Sequence, residues 1–361
     1  MNVMFINSAF HWGGNEKWTL LAAQGLAARG HRVHICCRSP IFRERNTVVS
    51  ITYHHLPFFN DGDVFTVGRL AYMMRNYSID VVIPTKVKDY WLGGLAAKLM
   101  GRPVAIRLGI TRTMRNYWKD RLEYGVLPDK IIVNARAIKE ELGGASWVDP
   151  SKVEVLYNGV APTDPPPRKD GIRLEFGIGK DTFIIGGVGR LAHQKGFDFL
   201  LRTFARLTSQ SNGCKLIIVG EGRERGTLED LTKRLNLQGQ VIFAGFRKNI
   251  EAVIPQLDLL VSSSRFEGVP NVILEAWSCG VPVIATRVPG IEEIINHKSD
   301  GFLVEFGDEV GLSRLIQEMM VNSDLRQKIT ITAKRRVHKE FSLDKMIHDL
   351  ERILIGLPKF R

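Results

Sequence analysis

Short β-branched and aliphatic runs alternate along the chain with segments whose apolar residues recur every three or four positions. The runs Asn2–Asn7 (NVMFIN) and His31–Cys37 (HRVHICC) predict strands, and Lys17–Ala28 between them predicts a helix closed by Gly30. Asp80–Pro84, Pro103–Arg107 and Lys130–Asn134 repeat the strand signal, with helical stretches between. This order predicts a parallel sheet covered on both faces. The stretch APTDPPPRKDG (161–171) breaks the rhythm with four prolines and no apolar period, and reads as a stiff connector. The rhythm then restarts. Strands are expected at Phe183–Val188, Lys215–Val219, Val241–Ala244, Leu257–Ser262, Val281–Thr286 and Gly301–Val304. Helices are expected at Phe197–Ser209, Gly226–Leu235, Pro270–Cys279, Ile291–Asn296 and Val310–Val321. The halves share a plan but no repeated sequence, which predicts two α/β domains, 1–165 and 166–341. The tail, about 342–361, carries an amphipathic helix pattern at Ser342–Ile355 and is expected to pack back on the first domain.

Composition narrows the class. Of 361 residues, 44% are apolar and 24% charged, as in ordinary globular proteins, and no apolar run reaches a membrane span. The N-terminal MNVMFINSAF lacks a basic flank and reads as a strand, not a signal peptide. Cys36, Cys37, Cys214 and Cys279 form no CxxC pair, so reduced thiols in a cytosolic protein are expected, with neither disulfides nor a zinc site. The net charge of +12 favours anionic partners, and residues 102–121 alone hold six basic residues against one acid.

Four stretches carry candidate chemistry. In RFEGVPNVILEAWSCGVPVIAT (265–286) a strand gives way to a loop, and Pro270 suits the first position of the helix that follows. Free main-chain amides at Asn271 and Val272 then sit at a helix start at the end of a strand, where anions bind. Glu275 lies in the second turn of that otherwise apolar helix. Either it meets a buried arginine or solvent, or it accepts hydrogen bonds from ligand hydroxyls such as those of a ribose; Glu267 suits a second polyol. In IIGGVGRLAHQKGFDFL (184–200), Arg190 and Lys195 sit in a strand-to-helix loop and suit a diphosphate, or are two solvated charges. In SAFHWGGNEKWTLLAAQGLAARG (8–30), Gly13 and Gly14 let backbone approach a phosphate or sugar. The dinucleotide fingerprint is absent, which disfavours a nicotinamide dehydrogenase. Gly220, Gly222 and Gly245 shape loops at strand ends, where a flat base would lie near Phe246 and Arg247.

Taken together, Gly189-Arg190-Leu191 with Lys195-Gly196, Val219-Gly220-Glu221-Gly222, and Glu267-Gly268 through Glu275-Ala276 resemble the retaining glycosyltransferases of GT-B architecture, of the group 1 or family-four type. Gly13-Gly14-Asn15-Glu16, Asn134 to Lys139, Tyr157-Asn158-Gly159-Val160 and Pro289-Gly290 through Glu293 support the resemblance, which spans Asn2 to about Phe341. It implies two Rossmann-like domains whose parallel sheets face a central cleft, the first binding acceptor and the second nucleotide sugar. Arg190 and Lys195 would hold the nucleotide diphosphate and stabilise its departure. Glu275 would bind the ribose, Glu267 the donor sugar, and the amides from Gly268 to Val272 the phosphates, with Gly14 under the donor. The resemblance also implies retention and no divalent metal or other cofactor. Many relatives carry a histidine after the strand matching Pro103–Arg107, whereas this chain reads Ala105-Ile106-Arg107-Leu108-Gly109. In those relatives the histidine contacts the donor sugar; here Arg107 either takes over part of that role or binds a phosphate of the acceptor, and with Arg112 it is placed on the acceptor side.

Two other functions fit parts of the pattern. A nucleotide-sugar epimerase of the same architecture would consume donor without acceptor, and a basic nucleic-acid-binding protein would leave the cleft features unexplained. The expected partners are therefore a nucleotide sugar and a saccharide or lipid-linked acceptor in cell-surface polysaccharide, lipopolysaccharide or glycolipid synthesis, with no nucleic acid. Phe42–Arg45, Arg69–Arg75 and Arg112–Arg121 mix aromatic residues or methionine with arginine. They read as peripheral contacts with an anionic inner membrane face, or as solvated helix faces.

Overall fold

A computed structural model describes residues 1–46, 50–110, 114, 116–162, 171–209 and 213–358. The chain forms two compact units, Met1–Asn158 with Leu343–Arg361, and Gly159–Ser342. The sequence pattern put the boundary at 165, where the prolines cluster. The division by contacts falls earlier, between Asn158 and Gly159. Most of the expected connector, residues 163–170, lies outside the described residues.

The first unit runs β1 (Asn2–Asn7), α1 (Gly14–Ala28), β2 (Arg32–Cys37), α2 (Ile41–Arg45), β3 (Ile51–His55), α3 (Val64–Asn76), β4 (Val81–Pro84), α4 (Val87–Leu99) and β5 (Ala105–Leu108). It continues through α5 (Trp118–Asp120), a π-helical segment (Arg121–Val126), β6 (Lys130–Val133), α6 (Arg136–Gly143) and β7 (Val153–Val155). Its strands pair in parallel in the orders β3-β2-β1-β4 and β5-β6-β7, and a bridge from Val82 to Val104 links the two sheets. Val3, Met4, Phe5 and Ile6 are all fully buried, because helices cover both faces and leave no strand side for water. The C-terminal helix α14 (Leu343–Ile355) lies on this unit, with Met346, Ile347, Leu350 and Leu354 buried in the same core as Trp18, Leu20 and Leu26. Arg29 reinforces the contact with ion pairs to Asp344 at 2.7 Å and Glu351 at 3.0 Å.

The second unit runs α7 (Gly171–Glu175), β8 (Phe183–Val188), α8 (Phe197–Thr208), β9 (Cys214–Val219), α9 (Arg225–Arg234), β10 (Val241–Gly245), β11 (Leu259–Ser262) and α10 (Asn271–Ser278). β12 (Val283–Thr286), α11 (Pro289–Glu292), β13 (Phe302–Val304), α12 (Glu309–Val321) and α13 (Ser323–Glu340) follow. Its parallel sheet has the order β10-β9-β8-β11-β12-β13. Strand order therefore reverses between β8 and β11, and in the first unit between β1 and β4. At such a point consecutive crossovers leave toward opposite sides and open a crevice at the strands' C-terminal ends.

Two elements differ from the sequence reading in an informative way. The 18-residue α13 is not signalled, because its buried residues are only Ile329, Ala333 and Val337, a stripe one residue wide on a polar helix. Pro270 does not occupy the first helical position. It is the N-cap, with φ −73° and ψ 125°, and α10 begins at Asn271. Its extended ψ turns the chain into the helix from the loop, a role its fixed φ equally permits.

Candidate active site

In the second unit, two loops flank the β8/β11 switch point. The β8–α8 loop carries Arg190 and Lys195, and the β11–α10 loop carries Glu267 to Pro270. They are stitched into one body. Arg265 donates from its main-chain amide to the Gln194 carbonyl at 2.8 Å, Gln194 Nε2 to the Phe266 carbonyl at 3.1 Å, and Ser263 Oγ to the Lys195 carbonyl at 2.9 Å. The Arg265 guanidinium grips Asp198, in the first turn of α8, with two bonds of 2.9 and 2.8 Å. This geometry requires glycine at 196, where φ is +61° and a Cβ would stand 2.0 Å from the Ser263 carbonyl oxygen. Gly220 plays the same part for the VGEG motif, where φ is +142° and a Cβ would stand 1.9 Å from the Gly189 carbonyl oxygen.

The stitching brings Lys195 and Glu267, distant in sequence, into a direct ion pair between Nζ and Oε1. Both side chains are largely withdrawn from water, at 19% and 10% exposure. Arg190 is exposed and makes no ion pair among the described residues. Gly268, Val269 and Pro270 are buried, and Asn271 and Val272 half-buried, at the start of α10. Glu275 is buried at 8% exposure and is not without a partner, so it is no bare charge in the helix. Phe246 is exposed beside β10. Arg247 turns to Glu175, with bonds of 3.0 and 2.6 Å, and donates from Nε to the Ala244 carbonyl. Its guanidinium is thus committed within the unit.

In the first unit, Gly14 is exposed and opens α1. Arg107 is not a surface group. It is 4% exposed, donates to Asn15 Oδ1 and Asn158 Oδ1 at 2.8 Å each, and stacks on Trp18 at 4.3 Å. Burial pulls its pKa down to about 10, against the attraction of Tyr90 and Glu16. The assignment of Arg107 to direct acceptor contact therefore does not fit this geometry. The side chain fastens the first turn of α1 to Asn158, where the chain leaves this unit for the second. Arg112 lies outside the described residues.

Sequence reading missed the rest of this network. Asn7 Nδ2 donates to Thr85 Oγ1 at 2.8 Å, Lys86 pairs with the buried Glu16, and the Ser8 amide donates to Asp89 Oδ2 at 3.0 Å. Asp89 is fully buried, and desolvation raises its pKa to about 7 against the Ser8 hydrogen bonds and the charges of Lys86 and Lys88. The signal was the string PTKVKDY after β4. It becomes legible only once β4 is known to neighbour β1.

Residues 12–164 match the family model of glycosyltransferase family 4, and residues 169–336 that of the group 1 glycosyl transferases. The chain belongs to the group 1 glycosyltransferases and is an enzyme of that class. Among characterised relatives, the N-acetyl-alpha-D-glucosaminyl L-malate synthase of Bacillus anthracis is 25% identical over 354 residues, which cover 91% of this chain and 90% of that one. The lipopolysaccharide core biosynthesis glycosyltransferase LpsE of Rhizobium meliloti is 28% identical over 300 residues, 79% of this chain and 83% of its own. Anabaena Alr3699/HepE, solved in complex with UDP-glucose, superposes with a TM-score of 0.87 at 21% identity, covering 99% of this chain and 100% of the other. WaaG, a glycosyltransferase involved in lipopolysaccharide biosynthesis, gives 0.79 at 18% identity, covering 98% and 100%. The fold is accordingly GT-B, with two Rossmann-like units built on parallel sheets.

Proposed function

We propose that this glycosyltransferase moves a sugar from a nucleotide-diphosphate donor to an acceptor hydroxyl with retention of anomeric configuration and without a divalent metal. The observation that carries the reading is the Lys195–Glu267 pair at the switch point of the second unit, with Arg190 exposed on the same loop as Lys195. As the bond from the anomeric carbon to the diphosphate breaks, negative charge grows on the leaving phosphate. Arg190, Lys195 and the amides at the start of α10 are the groups that stabilise it. The acceptor oxygen forms the new glycosidic bond, and its proton passes to a donor phosphate oxygen. Glu267 holds the donor sugar and keeps Lys195 in place, while Glu275 accepts from ribose hydroxyls.

The lipopolysaccharide role named for LpsE supports an acceptor in cell-surface glycan or glycolipid synthesis. Such an acceptor would be met at the cytoplasmic face of the membrane. Among the described residues no helix is long and apolar enough to cross a membrane. A peripheral contact is supported by α3, which exposes Phe65 and Tyr72 beside Arg69 and Arg75, and by exposed Tyr117 and Trp118.

The test is a panel of UDP-, GDP- and ADP-sugars scored first by thermal stabilisation and then by transfer, with the product anomer read by NMR. Ligand at 100 times its Kd is expected to add about 2.7 kcal/mol of stability. Transfer with retention in the presence of chelator supports the reading. Inverted product or loss of activity on chelation would correct its mechanism, and donor epimerisation without acceptor would replace transfer altogether.

A further inference from the structure

The loop that leaves β1 presents three consecutive rings, Phe10, His11 and Trp12, whose role the donor site does not explain. Asn7 at the end of β1 lies in register with Cys37 at the end of β2, so the loop runs beside Arg38 and the start of α2. The Arg38 guanidinium lies over the Phe10 ring at 3.9 Å, and that of Arg45 over Trp12 at 4.4 Å. Phe42 supports Trp12 edge-on at 5.9 Å from within the core. Phe10 remains 58% exposed although one face is covered by Arg38. No carboxylate pairs with Arg38 among the described residues.

We propose that this aromatic–guanidinium shelf binds the acceptor, and that the acceptor is a saccharide carrying an anionic group, a phosphate or a carboxylate. The proposal rests on the glycosyl-transfer reading above. The exposed face of an aromatic ring is electron-rich and fits the C–H face of a pyranose, which covers apolar surface without needing hydrogen bonds. The Arg38 guanidinium covers the other face of the Phe10 ring at 3.9 Å and pairs with no carboxylate among the described residues. That arrangement suits bidentate capture of a phosphate or carboxylate. The shelf stands at the C-terminal ends of parallel strands, next to Gly13, Gly14 and the switch point of its unit, where α/β sheets bind ligands. Surface stabilisation alone would not account for it, since an exposed phenyl ring between two half-buried loops gains little from folding.

The full-length protein should be titrated with glucose 6-phosphate, glucuronic acid, glucose and inorganic phosphate by saturation-transfer NMR, with UDP binding measured in parallel. At least one anionic sugar is expected to bind about tenfold more tightly than glucose, and the stronger of the two identifies the anion. Arg38→Gln should abolish that preference, Arg38→Lys should keep part of it, and Phe10→Ala should weaken anionic and neutral sugars alike by about tenfold. UDP affinity and thermal midpoint should stay unchanged in all three. The proposal fails if Arg38→Gln leaves the preference intact, or if inorganic phosphate competes as well as the sugar phosphate and Phe10→Ala has no effect. It also fails if the rings instead govern sedimentation with phosphatidylglycerol vesicles while no sugar binds. UDP binding with an inert shelf overturns this proposal alone. Absence of binding by any nucleotide or nucleotide sugar overturns the reading beneath it.

Discussion

Lys195 and Glu267 neutralise each other in a largely dry position, which sets what each can contribute. Removing only the lysine deletes a cation from the proposed leaving-group site and also strands a buried carboxylate beside it. Lys195→Ala is expected to lower turnover by about 100-fold or more. The Lys195→Ala, Glu267→Ala pair should cost less than the sum of the single changes, with a coupling of about 1–3 kcal/mol in kcat/KM. Strict additivity would mean that the pair does not act as a unit. Asp89 gives a second residue-scale test. Its pKa, about 7, is raised above the ordinary 3.8, so its contribution to stability is complete below the ordinary value and is lost as pH rises through 7. Asp89→Asn keeps an acceptor for the Ser8 amide and carries no charge. Relative to the parent it should gain about 2 kcal/mol between pH 5.5 and 8.5 in urea unfolding of the first unit. A pH-independent difference would show that the carboxyl is already ionised across that range.

At the scale of elements, the site is a property of two loops rather than of either alone. The β8–α8 and β11–α10 loops are 72 residues apart at the Lys195–Glu267 contact, yet main-chain and side-chain hydrogen bonds and the Lys195–Glu267 and Arg265–Asp198 ion pairs hold them together. The left-handed turn at Gly196 lets them meet. Gly196→Ala should therefore destabilise the second unit by about 2 kcal/mol or more and weaken nucleotide binding, both read from a denaturation series with and without UDP. An unchanged midpoint would refute the close approach. The GRL, KG and EG strings were visible as motifs, and the strand–loop–helix pattern placed them at strand ends. Which loops adjoin was not visible, because strand order is set by long-range packing and leaves no local trace. The same limit turned Arg107 from an acceptor ligand into a buried fastener: nothing in AIRLG says that Trp18 and two asparagines enclose it.

At the scale of the molecule, the chain crosses between its units twice, and its last helix belongs with its first. The four buried apolar side chains of α14 contribute about 1.5–3 kcal/mol each, together comparable to the 5–15 kcal/mol that stabilises a typical domain. Truncation after Ser342 should therefore abolish the cooperative unfolding transition of the first unit and leave that of the second, observed by calorimetry. Two surviving transitions would show α14 to be dispensable.

Period and punctuation in the sequence determined the two α/β units, most strands, and the loops that carry Arg190, Lys195, Glu267 and the start of α10. These features follow from local sterics and from burial on both faces of a sheet, which act over a few residues. Only the tertiary structure decided that Lys195 and Glu267 pair, that Arg247 is spent on Glu175, that Arg107 is buried, and that Phe10 and Arg38 form a shelf. Each depends on which strands become neighbours, and that choice is made by the whole core at once.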